Sequence, residues 1–214
     1  MYYVWSGLVL AKDLIDISYI PVKLYDNKIK RMIPNFKYSI KTIMKDELEK
    51  ERLIEVLGGT TSQLVQKVQR FDELEINVIP FANSWTAAQV ADHLTKSNNS
   101  ISKAMLLNGT IINRNPRARV EELQKVFLDF DSKLKSPDFI LPSQDIYEKE
   151  VVMNNLKWSV EKLMEVSSES ELSEMINHRA FGDITKFEIL YFVHFHTLRH
   201  IHQLDKIYEA VKDR

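Results

Sequence analysis

No cysteine occurs among the 214 residues. That absence excludes a disulfide framework, a thiolate zinc site and a cysteine nucleophile, so any transition metal would have to be held by histidine and carboxylate. Glycine is scarce, with five residues in all, too few for a glycine-rich phosphate loop, and nucleotide-binding readings of that kind fall away. There is no Gly-x-Ser-x-Gly elbow, so a serine hydrolase of the usual α/β type has no support. An excess of one charge is missing too: 29 Lys and Arg stand against 30 Asp and Glu, a net of -1. Nothing is left over to neutralise a phosphate backbone, and nucleic acid is not expected as a partner. The longest strongly apolar stretch, Met1 to Leu10, runs into Lys12 and Asp13. It is too short for a membrane-spanning helix, which needs about 20 apolar residues, and it lacks the basic lead and small-residue cleavage site of a signal peptide. A cytoplasmic protein without a membrane partner is the expectation.

What remains is the makeup of an ordinary globular domain, 44% hydrophobic and 28% charged, with no internal repeat and no low-complexity segment. Residues 1–43 stand apart, with seven Lys and Arg against three Asp, a net of +4. From Met44 the text changes to Lys-Asp-Glu-Leu-Glu-Lys-Glu-Arg, strong helix formers with acids first, as suits a helix N-terminus. Two readings of residues 1–43 stay open, a genuine N-terminal extension or upstream sequence ahead of a true start at Met44. Residues 44–214 are the expected domain.

Within it, Leu53, Val56, Leu57, Thr60, Leu64, Val68 and Phe71 recur at three- and four-residue steps, the period of an amphipathic helix. Gly58 and Gly59 interrupt it, marking a kink or a place where something approaches the backbone. Thr86 and Gln89 have capping-box spacing and open a second helix expected to reach about Leu107. A short extra helix is predicted over 119–134, with Val120, Leu123, Phe127 and Phe130 on one side. A third long helix is predicted over 145–166, and a last one opens at a second capping box, Thr185 to Glu188, and continues nearly to Arg214. Four long helices and no convincing alternating strand predict an all-α four-helix bundle with a short extra helix between the second and third long ones.

Four of the six histidines fall within nine residues: His194, His196, His200 and His202. At about 100° per residue, His196 and His200 lie roughly 40° apart and one turn along, so both can reach a common ion. They share a stripe with Ile189, Phe192, Val193, Gln203 and Ile207, which turns the pair into the bundle. A third ligand from a facing helix would complete a catalytic-type site, and His93, flanked by Val90, Ser97, Ser100 and Ala104, is the candidate. The plainer alternative stays beside it, because a His-x-x-x-His pair is also common among core or surface imidazoles, and a lone helical histidine is commonly a hydrogen-bonded core residue. His194 and His202 are read as outer-face or interface residues and His178 as a loop residue. Trp85 and Trp158 are read as core or cap residues rather than substrate platforms. Gln203 could orient a ligand or simply pack.

The run Trp85-Thr86-Ala87-Ala88-Gln89-Val90-Ala91-Asp92-His93-Leu94, together with Phe181-Gly182-Asp183-Ile184-Thr185-Lys186-Phe187-Glu188 and His196-x-x-x-His200-x-x-Gln203, resembles the DinB-like superfamily in its second and last helices. The resemblance spans roughly residues 47 to 210 and leaves the first 43 uncovered. It implies up-down-down-up connectivity and a divalent metal, zinc or nickel above all, held by His93, His196 and His200. It further implies thiol-S-transferase or hydrolase chemistry on a small-molecule substrate, with a low-molecular-weight thiol such as bacillithiol or mycothiol as co-substrate. It gives no reason to expect DNA binding. A bundle of another class, which binds a metal or small ligand, or forms a homodimer, without turnover, stands as the alternative. The substrate, the metal and the oligomeric state are not written in the sequence.

Overall fold

A computed structural model describes residues 36–212, with side chains from Met44 onward. The chain divides at residues 46 and 47 into two units. The first is described only as the opening of a helix, and the second holds the helical bundle. The expectations for an extension before Phe36 lie outside the described residues. No helix among the described residues is long and apolar enough to cross a membrane.

The helices are α1 (Phe36–Gln69), α2 (Ala87–Met105), a short α3 (Val120–Phe127), α4 (Lys149–Glu169) and α5 (Lys186–Val211). Helix α1 starts at Phe36 and runs through Met44, eight residues before the expected start, and passes Gly58 and Gly59 without a break. Neither glycine is required by space: a Cβ on Gly58 would meet Met164 Cε at an ordinary 3.6 Å, and on Gly59 nothing within 4 Å. Both capping boxes form. Thr86 Oγ1 accepts from Gln89 N while Gln89 Oε1 accepts from Thr86 N, and Thr185 and Glu188 repeat the arrangement. Helix α4 begins at Lys149 rather than Asp145, because its leading amide is capped from far away, Lys149 N donating to Glu73 Oε1 at 3.0 Å. Helix α3 is half as long as expected and leaves Phe130 beyond its end.

A small sheet departs from the strand-free expectation. Strands β1 (Thr110–Ile111), β2 (Glu174–His178) and β3 (Gly182–Thr185) pair antiparallel in that order, with Ile176 opposite Ile184. They are too short to show a period of two. Their signals are local: Gly182 at φ +64° closes the β2–β3 hairpin, and Gly109 lets β1 approach β2, where a Cβ would fall 2.7 Å from Glu174 Cβ.

Two apolar layers make the core. One joins Leu53 and Leu57 of α1, Ile101 and Met105 of α2, Leu163 and Val166 of α4, and Phe187 to Phe195 of α5. The other joins Leu64 and Val68 of α1, Val90 and Leu94 of α2, Val152 and Leu156 of α4, and Ile201 to Val211 of α5. Helix α1 therefore passes from the first layer to the second, α2 and α4 pass back, and α5 returns, which is up-down-down-up connectivity. Between the layers lies a belt of buried polar side chains: Thr60, Thr61, His93, Ser97, Asn98, Ser159, His196, Thr197 and His200. A buried polar belt has to satisfy itself, and how it does so defines the site.

Candidate metal centre

Each of the three belt histidines is placed by a helix whose phase is set at a capping box. Counting from Thr86, His93 falls on the face of α2 that meets α5. Counting from Thr185, His196 and His200 fall one turn apart on the face of α5 that looks back. The rings meet: His93 and His200 centroids are 4.9 Å apart, His93 and His196 5.2 Å, His196 and His200 4.5 Å. Their donor nitrogens all lie within 4.8 Å of one another, and all three residues are buried.

The far side of two rings fixes their orientation. His93 Nδ1 lies 2.9 Å from the carbonyl oxygen of Ile140, and His200 Nδ1 lies 2.8 Å from Gln203 Oε1. A carbonyl oxygen can only accept, so in both rings Nδ1 carries the proton and Nε2 presents a lone pair inward. His196 Nε2 sits between them, 3.2 Å from His93 Nε2 and 3.0 Å from His200 Nε2. Burial lowers the pKa of all three; for His196 and His200 the neighbouring imidazoles add to it, so that of His196 falls well below the ordinary value and that of His200 to about 3. Near neutral pH the cluster is uncharged and holds at most one proton among three converging nitrogens. Even with that proton on His196 Nε2, one inward lone pair is left without a donor, an arrangement that costs free energy unless a cation lies among the three nitrogens. The donor set fits a divalent ion. Inward nitrogens 3.0 and 3.2 Å apart are close enough to be shared by one ion, to which each would bond at about 2.0–2.1 Å.

The surroundings are aromatic. Trp85 lies 5.0 Å from the His93 ring, Phe192 stacks on His196 at 5.0 Å, and Phe127 meets His196 edge-on at 5.9 Å. Trp85 thus borders the cluster, whereas Trp158, expected in the core or at a cap, stands 60% exposed on α4. His194 is half-buried between α1 and α5, bonded to Thr60 Oγ1 at 2.9 Å, and His202 stacks on Phe130. Neither joins the cluster. His178 is not a loop residue: it ends β2, buried, with its Nδ1 accepting from Ala180 N.

Sequence reasoning missed the loop that completes the site. The backbone carbonyl of Ile140 carries no side-chain signature, and the residues that hold its loop are scattered over one face of α2. Gln89 Nε2 donates to Ser143 O at 3.1 Å and Lys96 Nζ to Leu141 O at 2.8 Å, while Asp92 Oδ2 accepts from Ser143 N at 3.0 Å and Tyr147 OH at 2.8 Å. Their spacing at 89, 92 and 96, beside His93, is the one sequence signal that could have pointed to the loop.

The family model of the DinB superfamily matches residues 57–204. Among curated proteins, the uncharacterized protein YuaE of Bacillus subtilis (strain 168) is 27% identical over 146 residues, covering 64% of this chain and 86% of its own. Among solved structures, TT2238, a four-helix bundle protein, aligns with a TM-score of 0.47 at 14% identity, over 73% of this chain and 98% of that one. YfiT from Bacillus subtilis, called a probable metal-dependent hydrolase with an unusual four-helix bundle topology, aligns with a TM-score of 0.48 at 17% identity, over 75% of this chain and 86% of that one.

Proposed function

The chain belongs to the DinB superfamily, and from that premise we propose that it is a metal-dependent enzyme whose divalent ion, zinc or nickel, is held by His93, His196 and His200. One observation carries the reading: three buried imidazoles whose nitrogens converge, two of them tied through Nδ1 so that Nε2 points inward. A hydrogen-bonded core histidine needs no such convergence. An ion held there acts as a Lewis acid and brings a bound water or thiol towards ionisation near neutral pH.

The chain's own part is to hold three neutral donors whose nitrogens would share one ion. The Ile140 carbonyl and the Gln203 amide fix the rings of His93 and His200 and raise their basicity. Trp85, Phe127 and Phe192 line the cluster and limit its access to water. With no cysteine in the chain, a sulfur nucleophile would have to arrive as a small thiol. Transfer of a low-molecular-weight thiol to an electrophile, or hydrolysis of a small substrate, is the chemistry this donor set serves.

The experiment is elemental mass spectrometry on protein purified without a histidine tag, beside His196→Ala. About one zinc or nickel per chain, lost in the variant, supports the site and justifies screening thiols against electrophiles. Protein that is metal-free and takes up no zinc, nickel or manganese when offered sinks the enzyme reading.

A further inference from the structure

His93 and His200 are oriented by hydrogen bonds on Nδ1, but the third ring is not. Among the described residues no protein acceptor meets His196 Nδ1; its hydrogen-bond contacts are those of Nε2 with the other two rings. Packing sets its plane instead, through the stack on Phe192 (5.0 Å, 21°) and the edge of Phe127 (5.9 Å, 86°). Phe192 lies one turn earlier on α5 and comes into place with the helix. Phe127 is the last residue of α3 and has to be brought there.

Arg199 gathers that end of the chain. Its Nη1 donates to the carbonyl oxygens of Phe127 at 3.4 Å and Asp129 at 2.6 Å, and its Nη2 donates to that of Ser132. The Phe127 carbonyl is one that a terminating helix leaves without a partner, the other two lie in the turn just beyond it, and a planar guanidinium is the group that can serve several at once. Within the same span Phe130 stacks on His202 at 4.4 Å. The stretch 127–132 is thereby laid along the flank of α5 that carries His196, and Phe127 also packs against Phe192 at 4.9 Å.

We propose that Arg199 is a positioning residue of the metal centre, acting on His196 through Phe127. It does for the third ring what Gln203 and the Ile140 carbonyl do for the other two, and it rests on the metal reading above. Without the clamp, Phe127 leaves the ring edge, His196 turns about its χ2 angle, and water reaches a ligand that is now 8% exposed.

The test uses the full chain loaded with zinc or cobalt(II), as wild type, R199Q, F127L and the double variant. Two quantities are read: the rate of zinc release to a chromophoric chelator, and the visible spectrum of the cobalt form, which reports ligand geometry. Each single variant is expected to release zinc about tenfold faster, the usual scale for losing a partner of a metal ligand. Both should alter the cobalt spectrum, and the double variant should be no faster than the singles, because both act through one contact. Lys67→Ala, which breaks a surface pair with Asp205 at 2.6 Å, should leave both readouts unchanged, so a general loss of stability is distinguished. F127L, which keeps apolar bulk, carries the comparison if R199Q does not fold. Unchanged release and spectra in R199Q and F127L overturn the proposal, as do effects that simply add in the double variant. A wild-type chain that takes up no metal overturns the metal reading, and this one with it.

Discussion

Gln203 occupies the position where a single side chain decides the tautomer of His200. Its Oε1 accepts from Nδ1 at 2.8 Å, and replacement by leucine keeps the bulk but removes the acceptor. Gln203→Leu is expected to weaken zinc binding about tenfold, measured by chelator competition; unchanged affinity would assign Gln203 to packing. The i, i+4 pair and the glutamine three residues later were legible because a helix fixes their spacing wherever it sits. His93 was legible as a candidate, but its place opposite the pair depends on two helices meeting. The Ile140 carbonyl and the work of Arg199 were not legible, since any residue offers a carbonyl and the arginine's acceptors lie about 70 residues away.

Among the elements, the starts of α2 and α5 could be read to the residue because a capping box closes within four residues. The start of α4 could not, because its cap is a carboxylate from residue 73. The α5 box has a second task. Glu188, fully buried, accepts from Thr185 N and Arg119 N at 3.0 Å each and takes both Nη1 and Nη2 of Arg114, at 2.7 and 2.9 Å. Burial alone would raise its pKa, but the bonds from Arg114, Thr185 and Arg119 outweigh it and hold the carboxyl below its ordinary value of 4.5. A carboxyl whose folded pKa is depressed stabilises fully above its unfolded value and loses that contribution as pH falls through the folded one. Urea denaturation of wild type should therefore show stability falling below about pH 5. Glu188→Gln should be about 2–3 kcal/mol less stable at pH 7, short of the cost for a fully buried pair because Arg114 is 34% exposed. The variant should also show a shallower acid limb, and an acid limb as steep as that of wild type would count against this account.

For the whole molecule, the helix count and the apolar stripes of the helices were legible from periodicity, whereas their division into two layers and the brief hairpin were not. A metal bound at the belt as proposed would add to the stability through its preference for the native state. At zinc about 1,000 times its dissociation constant that preference amounts to roughly 4 kcal/mol. For a unit of this size the melting temperature should rise by about 8–16 °C, and His196→Ala should show no such rise in a thermal scan with and without zinc. The belt also has a timetable. His93 and His196 are 103 residues apart in the chain, which at synthesis rates of about 5–20 residues per second is an interval of roughly 5–20 s. During that interval α2 carries one of the three imidazoles with nothing opposite it, because α5 has yet to be made. An ion held as proposed would therefore be captured only once α5 has been made and packed on α2, so the metal pool that meets the folded bundle, rather than the one around a nascent α2, would select it.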